Sequence, residues 1–191
     1  MYLFFDTETT GLPRNWKAPV TEVNNWPRLV QLAFIFYDRN GNKITDGNHI
    51  VKSEGFTIPV EASRIHGITT ERAIQEGRPL LTVLQEFQSL INQAEVLVAH
   101  NINFDEKIVG AEFLRNRMQN SVALKRKICT MQSTNNFCAL DGPYGYKWPK
   151  LSELHIKLFG TGFEEAHNAA VDIEVTARCF WKLKEIGIIK G

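Results

Sequence analysis

Apolar and polar positions fall into blocks along this chain, and the period of the blocks changes part-way. Tyr2 to Thr7 is a short, aromatic-rich run that reads as a strand. Leu29 to Tyr37 (LVQLAFIFY) is a longer buried strand. Asn40-Gly41 then signals a turn, and Lys43 to Lys52 supplies the returning strand, so the first three strands form an antiparallel meander. The stretch from Pro13 to Pro27 has no period and reads as a long loop between two strands. From Pro79 the period becomes helical, with Leu80, Leu81, Leu84, Phe87, Leu90 and Ile91 at helical spacing. Val96 to Ala99 is a short buried strand. Ile102 to Arg117 is a helix with Phe104, Ile108, Ala111 and Leu114 on one side. Lys127 to Met131 is the last strand. Leu151 to Phe159 is a short helix ended by Gly160, and Ala169 to Glu185 is a terminal helix with Ile173, Ala177 and Phe180 on one stripe. Three antiparallel strands followed by strand–helix alternation predict an α/β fold, a mixed five-stranded sheet flanked by helices. Functional residues in such folds gather at the ends of central strands and at the neighbouring helix starts.

The length of 191 residues suits one domain of ~150 residues better than two, so residues 1–191 are expected to form a single domain. A charged fraction of 23% and no low-complexity segment exclude a disordered or fibrous chain. No run approaches the ~18 apolar residues of a membrane span. Asp6 interrupts the first apolar run before it could serve as a secretion signal, so a cytoplasmic protein without membrane contact is expected. Cys129, Cys138 and Cys179 are odd in number and form no C-x-x-C pair, which points to buried thiols rather than disulfides or zinc. Residues 107–191 carry 13 basic and 8 acidic side chains, a surplus that would suit a polyanion but that a solvated surface also explains.

The acidic residues carry the chemistry. Asp6 and Glu8 lie two apart on the first strand and leave the same face, and Thr7 points the other way. Gly11 places the pair at a strand end. Two such carboxylates repel, and a divalent cation with a preference for oxygen, Mg²⁺ or Mn²⁺, would relieve the repulsion. Alone, the pair is better described as two exposed edge carboxylates. Asp105 falls in the first turn of the helix after Val96–Ala99, where the helix N-terminus favours its ionised form and Asn101 or Asn103 could serve as cap. His167 and Asp172 are five apart, about 140° around a helix. They converge only if His167 sits in the loop before a helix that Asn168 caps. Four carboxylates and a histidine from a strand end, two helix starts and a loop fit two-metal phosphoryl hydrolysis, with the histidine taking a proton from the attacking water.

The segments FDTETTG (5–11), HGIT (66–69), HNINFD (100–105) and HNAAVD (167–172) resemble the DnaQ-like, DEDDh-type 3′–5′ exonucleases of the ribonuclease-H-like fold. That family includes the proofreading subunits of DNA polymerase III and ribonuclease-T-like enzymes. The resemblance implies that Asp6, Glu8, Asp105 and Asp172 hold two Mg²⁺ or Mn²⁺ ions and that His167 is the general base. It implies that Thr9, Leu12, His66, Asn101 and Phe104 contact the terminal nucleotide of a single-stranded DNA or RNA 3′ end, which is released as a nucleoside 5′-monophosphate. Phe104 is equally well placed to be a core residue. Trp16 and Trp26, in the long loop 13–28, could stack on bases, although a tucked-in structural loop explains them better. The chain stops soon after its terminal helix, without the tail by which proofreading subunits hold a polymerase, so a free-standing enzyme is expected; a polymerase partner and a homodimer stay open. Two rival readings are a non-catalytic nucleic-acid-binding relative and another metal-dependent phosphoester hydrolase. Asp6-x-Glu8-x-Thr10 echoes the haloacid-dehalogenase-like nucleophile loop, with Glu8 in place of the second aspartate.

Overall fold

The computed structural model describes residues 1–163 and 168–190. Five strands, β1 (Tyr2–Thr9), β2 (Leu29–Tyr37), β3 (Lys43–Ile50), β4 (Val96–Ala99) and β5 (Arg126–Cys129), form one mixed sheet in the order β3-β2-β1-β4-β5. β1 pairs antiparallel with β2, and β2 with β3; β4 runs parallel to both β1 and β5. The predicted fold class is therefore the observed one. Side chains alternate across this sheet. Leu3, Phe5, Leu32, Phe34, Leu97 and Ala99 point into one core, while Tyr2, Phe4, Ala33, Ile35, Val96 and Val98 point into the other. β1 and β4 are apolar on both faces because helices cover both.

The first core is covered by α3 (Leu80–Gln93) and α4 (Ile102–Arg115). The second is covered by α7 (Leu151–Phe159) and α8 (Ala169–Glu185). Ile173, Ala177 and Phe180 are all buried, as the stripe on the terminal helix predicts. Phe4, Phe5, Phe34, Phe87, Phe113 and Phe180 are essentially inaccessible, and each such burial contributes roughly 1.5–3 kcal/mol. Gly47 sits on β3 because Phe34 crosses over it: an added Cβ would lie 2.3 Å from Phe34 Cζ.

Some expected boundaries and faces move. β3 stops at Ile50 and α4 at Arg115. β5 stops at Cys129, because Thr130 opens the short helix α5 (Thr130–Ser133), followed by α6 (Asn135–Cys138) and the small hairpin β6–β7 (Asp141–Gly142, Gly145–Tyr146). On α3, Leu81 faces solvent and Val83 takes its place in the core. Two helices were not expected, α1 (Val60–His66) and α2 (Thr70–Glu76). Each buries a single alanine, Ala62 or Ala73, so neither presents an apolar stripe to read. All three cysteines are free and buried.

The loop 13–28 covers α4. Trp26 is 3% exposed and donates its indole N–H to the Pro19 carbonyl at 3.1 Å. Arg115 donates to the carbonyls of Val23 and Trp26 at 2.5 and 2.7 Å. Glu112, wholly buried on α4, accepts from Arg28 Nε at 2.8 Å and from the Leu29 amide at 3.1 Å. Among the described residues, no helix is long and apolar enough to cross a membrane.

Candidate active site

The site forms where β1 outruns β4. Parallel pairing between them covers only Tyr2 to Phe4, so beyond Phe4 the edge of β1 is open. The Thr7 amide, with no β4 partner, donates to Asp105 Oδ1 at 3.1 Å, and the Thr7 hydroxyl donates to the same oxygen at 2.7 Å. β4 is short and α4 follows it at once, so the first turn of α4 drops Asp105 into the gap. Asn101, at the N-cap, makes this possible with a left-handed backbone, φ 71°. Its side chain makes no capping hydrogen bond, contrary to the expected side-chain cap.

Asp6 and Glu8 leave the opposite face of β1, toward α8. Asn168 caps that helix, accepting from the Ala170 amide at 3.1 Å, and Asp172 lies in its first turn. One oxygen each from Asp6, Glu8 and Asp172 lie within 4.8 Å of one another. Asp105 is not one of these three, and one of its oxygens is held by Thr7. His167 lies outside the described residues.

The charges in this cluster are costly. Burial, and then the neighbouring charges of Asp105, Glu8 and Asp172, hold the Asp6 carboxyl well above the usual carboxylate range. Burial and the charges of Asp172 and Asp105 push Glu8 up to about 8. Burial pushes Asp105 up to about 7 against the hydrogen bonds from Thr7. For Asp105, burial thus outweighs the help expected from the helix N-terminus. The donors are all carboxylate oxygens, the ligand type that hard divalent cations such as Mg²⁺ or Mn²⁺ take.

The remaining expected site residues differ in exposure and bonding. Thr9 is buried, and its hydroxyl donates to the Gly11 carbonyl at 2.7 Å. Leu12 is 72% exposed. His66 accepts at Nδ1 from the Ile68 amide at 3.1 Å, which places its proton on Nε2. That nitrogen is buried, facing the Thr9 backbone without a well-formed hydrogen bond, and burial lowers the pKa of the ring. Phe104 is partly buried against the core, its ring centroid 5.7 Å from that of Trp16. The two tryptophans of the long loop part company: Trp26 is structural, and Trp16 is 57% exposed. Sequence reasoning missed the clamp of Thr7 on Asp105. Its only signal was the mismatch between a long first strand and a four-residue fourth.

The sequence model of the family RNase_T, described as exonuclease, matches residues 3–180. The chain belongs to this exonuclease family. The family supports a nuclease role and, with it, dependence on a divalent metal. Among curated relatives of this exonuclease-family chain, the PolC-type DNA polymerase III of Streptococcus agalactiae is 32% identical over 190 residues. That of Streptococcus thermophilus is 30% identical over 182 residues. These matches cover 96% and 93% of the chain but only 11% of each relative. Among solved structures, E. coli exonuclease I in complex with a dA16 oligonucleotide superposes with a TM-score of 0.75 at 20% identity, covering 96% of this chain and 40% of that one. A zinc-bound complex of E. coli exonuclease I with single-stranded DNA gives 0.76 at 24%, with the same coverage. The ribonuclease-H-like exonuclease fold implied by the motifs is the fold observed.

Proposed function

We propose that residues 1–191 act as one exonuclease domain that removes nucleoside 5′-monophosphates from the 3′ end of single-stranded DNA or RNA. The observation that carries this reading is the convergence of Asp6, Glu8 and Asp172 within 4.8 Å, at a strand end in an exonuclease-family fold. Burial and neighbouring carboxylates raise the proton affinities of Asp6 and Glu8, and two Mg²⁺ or Mn²⁺ ions would offset that repulsion. Asp6, Glu8, Asp172 and Asp105 would hold them. When bound, such ions stabilise charge on the attacking and leaving oxygens of a phosphodiester.

The chain's own residues do the rest. His167, two residues before α8 in the sequence, takes a proton from the attacking water. The water oxygen bonds to phosphorus, the bond from phosphorus to the preceding 3′ oxygen breaks, and that oxygen takes a proton from solvent to leave a new 3′ hydroxyl on the shortened strand. Thr7 holds Asp105 in place. Leu12, Asn101 and Phe104 pack around the terminal nucleotide, and Thr9 and His66 lie where its 3′ hydroxyl would be recognised. The structural likeness to exonuclease I, solved with single-stranded oligonucleotides, supports a single strand as substrate.

The test is a product ladder. Purified protein with Mg²⁺ or Mn²⁺ should shorten 5′-labelled single-stranded DNA or RNA from the 3′ end, one nucleotide at a time, and leave a closed circular strand intact. Efficient cutting of the circle, or no shortening of either polymer, overturns the reading.

A further inference from the structure

The loop 13–28 gathers arginines as well as closing over α4. Between this loop and the end of β1 lies a cavity of about 490 Å³, with Thr10, Leu12, Arg14, Arg28 and Arg115 among its lining residues. Three guanidinium groups line it, and among the described residues no carboxylate does. Like charges so close repel, and the fold offsets the repulsion from beneath. Glu112, wholly buried on α4, lies 2.8 Å from Arg28 Nε and 2.8 Å from Arg115 Nη1. Burial, opposed by Glu112 and reinforced by the charge of Arg28, lowers the Arg115 guanidinium from its ordinary value. One carboxylate thus serves two arginines, and Arg14 adds a third charge. Glu22 shares the neighbouring hollow with Arg14 and makes no ion pair with it. The cavity is left with an excess of positive charge.

The donors in it are not all occupied. Arg115 is held by the loop, through the Val23 and Trp26 carbonyls. Arg28 uses Nε on Glu112, and its guanidinium stacks 4.4 Å from the Phe56 ring centroid. Its two Nη groups make no hydrogen bond among the described residues. The Thr10 hydroxyl accepts from the Arg28 amide at 3.0 Å, which leaves its own proton to donate. Arg14 is exposed and its guanidinium has no partner among the described residues. Two forked guanidinium groups and a hydroxyl, one fork held rigid between a carboxylate and a ring, match the oxygens of a phosphate. The metal-binding carboxylates leave the face of β1 that α8 covers, whereas α4 and the loop 13–28 cover the other. A phosphate in this cavity is therefore not the one at the carboxylate cluster.

We propose that this cavity is a phosphate-binding site, separate from the carboxylate cluster, in which Arg14 and Arg28 grip the phosphate oxygens and Thr10 donates a third bond. The phosphate belongs either to the backbone of a bound strand, away from the scissile bond, or to a free nucleoside monophosphate. That choice of ligands rests on the exonuclease reading above.

The experiment measures binding without hydrolysis, in chelator, with Arg14→Gln as the variant. Arg28 is left in place because it also closes over Glu112. A 5′-fluorescein oligothymidylate is titrated against wild type and variant over a series of salt concentrations, with anisotropy as readout. For a backbone phosphate, Arg14→Gln should raise Kd roughly tenfold and reduce the salt slope by about 0.7. Arg14→Lys should restore the slope and only part of the affinity, since an ammonium keeps the charge and loses the fork. In the second arm, thymidine 5′-monophosphate should raise Tm more in wild type than in Arg14→Gln if the site takes a free nucleotide, and thymidine should raise neither. Without ligand the two proteins should melt together, because Arg14 is exposed and unpaired. A change confined to the oligonucleotide assigns the site to a strand, and a change confined to the nucleotide assigns it to a released product. Equal Kd, equal salt slope and equal Tm shifts in wild type and Arg14→Gln overturn the phosphate site, even if the protein shortens oligonucleotides. A protein that binds through Arg14 and never shortens a strand keeps the site and loses the exonuclease reading.

Discussion

At the scale of single residues, the site depends on where each carboxylate is anchored. Thr7 fixes one oxygen of Asp105, while Asp6, Glu8 and Asp172 turn theirs toward one another. His167 lies outside the described residues, and Asn168 caps α8. An unperturbed imidazole titrates at ~6.5 and can accept a proton near neutral pH. The rate at saturating Mg²⁺ is therefore expected to rise with pH through the histidine titration and then level. His167→Ala should lose roughly 10²–10⁴ in kcat and keep its Mg²⁺-induced rise in Tm, because the histidine is no metal ligand in the proposed site. Asp172→Asn should lose both. Near-full activity of His167→Ala with an unchanged pH profile would remove the general-base role. The carboxylate pair on β1, the Asp105 position and the Asn168 cap were legible in the sequence. The Thr7 clamp was not, because an alternating strand pattern assigns Thr7 a face but no partner.

At the scale of elements, long strongly periodic segments were read with their limits. Leu29–Tyr37, Val96–Ala99, Leu151–Phe159 and Ala169–Glu185 begin and end where their patterns do. α1 and α2 escaped because a seven-residue helix with one buried side chain has no period to detect. The buried charge on α4 escaped too. Glu112 falls beside the apolar stripe on a helix wheel, where the pattern does not mark it as buried, yet the loop 13–28 closes over it and supplies Arg28. With Glu112 gone, two guanidinium groups, of Arg28 and Arg115, lose their shared carboxylate. Glu112→Ala is therefore expected to destabilise the fold by about 3–5 kcal/mol, the cost of stranding buried charge. The midpoint of urea unfolding measures this. Retention of the wild-type midpoint would show that the loop is not held to α4 by this pair.

At the scale of the whole molecule, the two cores bring β1, α4 and α8 together around charges that oppose folding. Glu8 is pushed up to about 8 and Asp105 to about 7, so the unfolded chain releases these protons first as pH rises. The metal-free fold therefore loses stability through the interval from the ordinary carboxylate range up to about pH 8. His100, lowered to about 4 by burial, acts in the opposite direction, but its loss falls between ~6.5 and 4 as pH drops, so the interval above about pH 7 isolates the carboxylates. In chelator, Tm is expected to fall from about pH 7 to about pH 8, and to fall less in Glu8→Gln. Saturating Mg²⁺ should remove the fall and raise Tm more in wild type than in Asp6→Ala. Equal Mg²⁺ shifts in wild type and Asp6→Ala would place the cation elsewhere.

The sequence by itself determined the class of sheet, the family and the identity of the acidic residues. Each of these is written in short-range order: the period of apolar positions, the residue between two carboxylates, the distance from a histidine to an aspartate. Only the tertiary structure decided which oxygens meet, that burial outweighs the helix N-terminus at Asp105, and which tryptophan of one loop is core and which is exposed. Those outcomes depend on where one element stops against another. The amide of Thr7 is open because β4 is short, and Arg28 stands beside Arg115, far away in sequence, because both are bonded to Glu112. Local pattern fixes what an element is; the meeting of distant elements fixes what each side chain can touch.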